Sequence, residues 1–219
     1  MRVIPLMIVC LAFSVTALSS DQDWIDLFNG KDLTGWKVTG NPAAFSVQNG
    51  TIYCSGSRGR MIYYQEQRFD DFILKTEVRL SPKANSGIFF RMTDPRDPVQ
   101  TGIEMQVLDS YGKENVDKHD FGAVYDIQAP SKNAARPAGQ WNDVSLTCRG
   151  SKIQVDLNGE RVIDMDLSHW TEVGWNADGT KNKFKTAYKE MTKAGYIALQ
   201  DHGHEVWYRN VRIKPLGRE

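Results

Sequence analysis

Two Asn-Gly pairs, each set between runs of strand length, constrain this chain more than any other feature. Phe45-Ser46-Val47-Gln48 leads through Asn49-Gly50 into Thr51-Ile52-Tyr53-Cys54, and Asn158-Gly159 joins the runs 152–157 and 161–165. The tightest hairpin turn needs positive φ at both central residues, which Asn and Gly tolerate best, so each pair predicts a two-residue hairpin. Further β-rich runs cover 72–80, 87–92, 103–108, 122–127, 141–148, 194–199 and 205–213. So many short strands, with no long amphipathic helix, predict an all-β sandwich of two antiparallel sheets. Residues 181–193, with Phe184, Ala187, Tyr188 and Met191, are the one place for a short helix, and a loop fits them equally. Loops are predicted over 94–101, 115–120 and 129–140, and loops of that length in a β domain usually carry function.

Residues 1–20 stand apart. Arg2 is followed by an apolar run to Leu18 and then Ser19-Ser20, too short for a comfortable membrane span and ending in small residues. That pattern predicts a signal peptide, residues 21–219 as one domain, and a secreted or periplasmic protein with no membrane attachment once the leader is removed. An uncleaved anchor is the alternative. Basic and acidic side chains balance at 27 each, so the electrostatic footprint that nucleic-acid binding requires is missing. Removal of the leader takes Cys10 with it. In an oxidising compartment Cys54 and Cys148 either pair or lie buried as small hydrophobes, and the sequence leaves both open.

Alternation over 72–80 puts Phe72, Leu74, Thr76, Val78 and Leu80 on one side, the core, and Ile73, Lys75, Glu77 and Arg79 on the other. That second side is either a solvated face or a set of ligand contacts. The segment richest in chemistry is Glu104-Met105-Gln106-Val107-Leu108-Asp109. Glu104 and Gln106 share a face of a regular strand, and one bulge residue would bring Asp109 to the same side. Two carboxyls flanking a sugar are the usual equipment for glycosidic cleavage; an exposed polar strand is the plain reading. The spacing is similar to the E-x-D-x-x-E motif of retaining glucanases with a concanavalin-like jelly roll, although Gln106 replaces the central acid and Asp109 the second Glu.

A broader likeness runs through the chain. Asp26–Trp36, Asn85–Arg91, Glu104–Asp109, Gly139–Asn142, Leu157–Gly159 and Ala198-Leu199-Gln200-Asp201-His202-Gly203 occur in order, and together they resemble the 3-keto-disaccharide hydrolase family. The resemblance implies an exported concanavalin A-like jelly roll that takes oxidised glycosides as substrate. A ketone at C3 acidifies the C2 proton, so a base can remove it, expel the C1 substituent and leave an enone to which water adds. Such a route needs a base, a group for the enolate oxygen and an acid for the departing oxygen, but no carboxylate nucleophile. Glu104 and Asp109 are the acid/base candidates and His202 a further acid or base. Arg91 is a candidate for the enolate charge or for an ion pair with Glu77 or Glu104. Gln106, Glu77, Asn85, Trp141, Gln200 and Asp201 are candidates for substrate binding. His202 and His204, beside Asp201 and Glu205, make a divalent metal a candidate as well, against the plain reading of a polar turn. A lectin-like carbohydrate-binding module without catalysis is the competing expectation.

Overall fold

The computed structural model describes residues 23–191 and 194–217, so the leader and Cys10 lie outside the described residues. Thirteen strands occur among them: β1 (Ile25–Asp26), β2 (Trp36–Val38), β3 (Phe45–Gln48), β4 (Thr51–Ser55), β5 (Arg60–Tyr64), β6 (Phe72–Leu80), β7 (Asn85–Met92), β8 (Ile103–Leu108), β9 (Trp141–Arg149), β10 (Lys152–Leu157), β11 (Glu160–Asp166), β12 (Tyr196–Asp201) and β13 (Glu205–Pro215). They form two antiparallel sheets. The larger has the order β11-β10-β9-β6-β13-β4-β3 with β1 also on β13, and the smaller has the order β2-β5-β12-β7-β8.

Both predicted hairpins form. Asn49 and Gly50 have φ of 48° and 73°, Asn158 and Gly159 have 55° and 84°, and their strands pair Gln48 with Thr51 and Leu157 with Glu160. Positive φ at both central positions matches the turn to the strands' right-handed twist. Between the sheets lies an apolar layer that alternation supplies from both sides. The expected core side of β6 is buried throughout, Thr76 included, and it meets Ile88 and Phe90 of β7 and Leu199 of β12 in one cluster. Full burial of one such Leu, Ile or Phe is worth about 1.5–3 kcal/mol.

Cys54 and Cys148 are free thiols buried in this layer, on β4 and β9. Burial pushes the Cys148 thiol up to about 12, so both behave as small hydrophobes rather than as a cross-link.

Two of the predicted elements differ from expectation. Residues 122–127 form no strand: Val124 bridges Met105 and Gln128 singly, because the segment bends at Gly122 and Asp126, with φ of 87° and 61°. Among the described residues of 181–193, Tyr188–Glu190 make a 3-10 turn and no α-helix forms, which is the loop reading of the two. Inside the predicted loop 94–101, Pro98–Thr101 makes a single helical turn, with proline at its first position, where a missing N–H costs nothing. No helix among the described residues is long and apolar enough to cross a membrane.

Candidate active site

Pairing in the smaller sheet decides which side chains meet on its outer face. β7 and β8 pair with no break in register from Asn85 to Phe90, setting Gly87 opposite Gln106 and Phe89 opposite Glu104. β12 sets Ala198 opposite Phe89, and β5 sets Tyr63 opposite Ala198 and Met61 opposite Gln200. One row therefore crosses the sheet as Tyr63, Ala198, Phe89 and Glu104. By the same register the next row is Met61, Gln200, Gly87 and Gln106. Strands spaced ~4.8 Å apart put the Glu104 strand ~10 Å from that of Gln200.

Glu104 is the chemically distinctive member. It is 8% exposed, and no hydrogen bond among the described residues reaches its carboxyl. Burial pushes its pKa up from 4.5 to about 8, with Lys183 pulling weakly the other way. A carboxyl poised near neutrality is what proton transfer at physiological pH calls for. Space for it is made by Gly87, where a Cβ would lie 2.2 Å from Glu104 Oε1 and 2.9 Å from Cδ. β8 ends the sheet, but it is not bare: the amides of Gln106 and Tyr125 and the carbonyls of Ala123 and Glu104 link it to the bent 122–125 segment. Beside Glu104, Gln106 donates from Nε2 to Asn85 Oδ1 at 3.1 Å. The Tyr188 hydroxyl is fully buried without a hydrogen-bond partner; burial first, then Glu104 and Asp126, hold its pKa well above the ordinary phenol value.

A cavity of about 620 Å³ opens on the same face, floored by Met61 and Gln200, roofed by Pro95 to Val99 and rimmed by Arg58, Arg60 and His202. Gln200 Oε1 is buried there with no partner. The volume lies in the range of small-molecule sites. The structure thus brings Glu104, Gln106, Asn85, Gln200 and His202 to one face.

Four expected site residues go elsewhere, and a fifth, Asp201, lines the cavity with its carboxylate already spent on backbone amides. Asp109 follows a bulge-free strand, and its Oδ2 accepts from the Lys83 amide at 2.8 Å, which makes it the clasp of the β6–β7 turn and not a partner of Glu104. Arg91 sits at an irregularity between β7 and β12 with φ of 51°. It is 1% exposed, and its Nε donates to Asp70 O at 3.1 Å and its Nη2 to Asp71 Oδ1 at 3.2 Å. It pairs with neither Glu77 nor Glu104. Asp201 accepts from the Gly59 and Gly203 amides through Oδ2 and Oδ1, at 3.1 and 3.0 Å. Glu77 and Trp141 lie on the outer face of the other sheet. There Arg209 and Asn210 bind the Glu77 carboxylate and, against the cost of its partial burial, hold its pKa down, while Trp141 stacks under Arg209 and Arg79 at 4.1 and 5.1 Å.

A cavity of about 650 Å³ on that second face is slightly larger. It is the poorer candidate, because three of its four carboxylates are already spent: Glu77 on Arg209, Asp143 on Arg136 and Asp156 on Arg161. For a metal, the described residues bring together no three His, Cys, Asp or Glu side chains as a ligand set.

Sequence reasoning missed Arg58, Arg60, Tyr188 and Lys183. The first two carried a signal: Gly56 and Gly59 punctuate a basic turn just before a short strand.

Gly87→Ala tests the site's geometry. The added methyl displaces the flexible end of Glu104 rather than backbone, so kcat/KM is expected to fall about 100-fold, with the melting temperature within a few degrees of wild type. Full activity in a normally folded Gly87→Ala protein removes Glu104 from the reacting centre.

Residues 23–214 match the family model described as the 3-keto-alpha-glucoside-1,2-lyase-like domain. A Bacteroides thetaiotaomicron protein named 3-keto-disaccharide hydrolase is 27% identical over 91% of this chain and 81% of its own length. Among solved structures, a candidate glycosyl hydrolase from Parabacteroides distasonis superposes with a TM-score of 0.80 at 28% identity, covering 88% of this chain and 99% of that one. A family GH16 endo-β-1,3(4)-glucanase, at 12% identity and a TM-score of 0.52 over 88% of this chain and 91% of its own, shares the fold alone. By its two-sheet sandwich and by a match that spans nearly all of the described residues, the chain belongs to the 3-keto-alpha-glucoside-1,2-lyase-like domain family.

Proposed function

We propose that the protein is a glycoside-cleaving enzyme acting on 3-keto-glycosides, including 3-keto-disaccharides, by proton abstraction and elimination followed by hydration. The observation that carries this reading is Glu104, a buried carboxyl with its pKa raised to about 8 on the face that holds the cavity. Family membership and the named Bacteroides relative support the substrate class.

In this mechanism the ionised Glu104 takes the proton from C2, beside the ketone. The electron pair left at C2 forms the C1–C2 double bond as the C1–O bond breaks, and the departing oxygen takes a proton from water, because His202 at the cavity rim stands two strands over and four residues along from Glu104. Water then adds across the enone. Gln106, oriented by Asn85, and Gln200, with its free Oε1, supply hydrogen bonds to sugar hydroxyls. A neutral amide at 106 suits this route, since no second carboxylate attacks C1.

The pH dependence has a definite sign. A base must be ionised, so kcat/KM is expected to rise with pH through about 8 and level off above it. A rate that falls through the same region instead assigns Glu104 as the acid. Incubation of the protein with a 3-keto-glucoside tests the reading as a whole: release of the aglycone supports it, whereas binding without release returns the chain to the lectin-like module. We also propose residues 21–219 as one exported domain, secreted or periplasmic, from the leader pattern of residues 1–20; an amino terminus at residue 1 in the purified native protein overturns that.

A further inference from the structure

Arg58 and Arg60 flank Gly59, and both stand in left-handed backbone, with φ of 55° and 68°. Long side chains enter that region only where the surroundings impose it, and such strain gathers at functional sites. Here the anchor is Gly59. Its amide donates to the buried Asp201 carboxylate at 3.1 Å, and a Cβ on it would lie 2.3 Å from that of Ala44. A clamped glycine therefore presents two arginines to the rim of the 620 Å³ cavity, next to His202.

Most of the charges around them are already settled. Arg96, also at the rim, is taken by Asp94 through bonds of 3.1 and 3.0 Å. Asp201 is satisfied by the Gly59 and Gly203 amides. Asp97 remains as the other lining carboxylate. Among the described residues the side chains of Arg58 and Arg60 enter no ion pair or hydrogen bond. Two guanidinium forks with His202 beside them form a basic rim to the cavity floored by Met61 and Gln200. Guanidinium groups match carboxylate and sulfate oxygens two at a time.

We propose that this rim of the cavity is an anion subsite, and that the preferred substrates carry a carboxylate or sulfate on the part remote from the bond broken at Glu104. Only its link to catalysis rests on the glycosidase reading; the binding does not. The test uses three unoxidised probes, the 4-carboxyphenyl, 4-sulfophenyl and 4-carbamoylphenyl glucosides, titrated calorimetrically into the full chain. The two anionic probes are expected to bind at least about tenfold more tightly than the neutral amide at low salt, with the advantage shrinking as salt rises. In Arg58→Gln/Arg60→Gln that advantage is expected to vanish while the amide binds as before. Both side chains are exposed, and a circular dichroism spectrum checks that the variant folds.

A preference for one anionic probe over the other tells carboxylate from sulfate, and either supports the subsite. Equal binding of all three, no binding of any, or a preference that survives the double substitution overturns it. The 3-keto form of the 4-carboxyphenyl glucoside separates this proposal from the reaction. Turnover without charge preference rejects the subsite alone. Charge-dependent binding without turnover rejects the glycosidase reading alone.

Discussion

Glu104→Gln is expected to lose about 10³-fold or more in kcat/KM on a 3-keto-glucoside and, in the same protein, to raise the melting temperature at alkaline pH. The first effect comes from removing the base, since Gln is nearly isosteric but takes no proton; a well-placed general base contributes about 10²–10⁴-fold. The second comes from linkage. The carboxyl has its pKa raised from 4.5 to about 8, so between those values the folded chain holds a proton that the unfolded chain has released. Stability therefore falls as pH rises through that window, and the penalty is complete above about 8. At about 1.4 kcal/mol per pH unit the shift is worth on the order of a few kcal/mol. Gln avoids that cost. A melting temperature roughly 5 °C above wild type at pH 8.5, with little difference at pH 4.5, is expected for a domain of this size. Thermal melts at the two pH values check it, and a difference independent of pH contradicts a raised carboxyl at 104. No purely structural residue combines lost turnover with gained stability in this way.

Asp71→Ala is expected to destabilise the fold by about 3–5 kcal/mol, the usual cost of stranding a buried charge. Arg91 is 1% exposed and its Nη1 already lacks a partner. Asp71 Oδ1 accepts both from Arg91 Nη2 and from the Gly150 amide, the latter at 2.8 Å, so one substitution frees a buried cation and a backbone donor together. Melting is expected roughly 10 °C lower. The double variant Asp71→Ala/Arg91→Met should recover part of the loss, because an apolar side chain of similar length has no charge to strand. Folded Arg91→Met is expected to keep its activity, in keeping with the position of Arg91 beside Asp71 and away from Glu104; a severe loss of kcat there would return Arg91 to the reaction.

The strands were legible wherever alternation or a turn pair marked them. Phe45–Gln48, Ile103–Leu108 and Lys152–Leu157 have the bounds that their patterns predicted. β1, β2 and β5 escaped because two to five residues are too few to show a period of two, and β5 reads Arg-Met-Ile-Tyr-Tyr, mostly apolar. For the site, parity along one strand was enough to join Glu104 to Gln106. Which sheet a residue belongs to is not a local property. Glu77 and Trp141 alternate as well as any groove residue, but β6 and β9 pair in the other sheet. Asp109 and Arg91 failed for a different reason: polar residues at strand ends serve the turns and sandwich edges that a strand pattern leaves out.

Of the two strands farthest along the chain, β12 is the middle strand of the smaller sheet and β13 an inner strand of the larger. β13 alone pairs with β6, β4 and β1, and β12 separates β5 from β7. A nascent polypeptide that has not yet exposed residues 196–215 can close hairpins at Asn49-Gly50 and Asn158-Gly159, but neither sheet has its spine. Assembly on the ribosome must stall at that point, and high contact order makes the remaining pairing slow. Such a delay fits the export proposed above for residues 21–219.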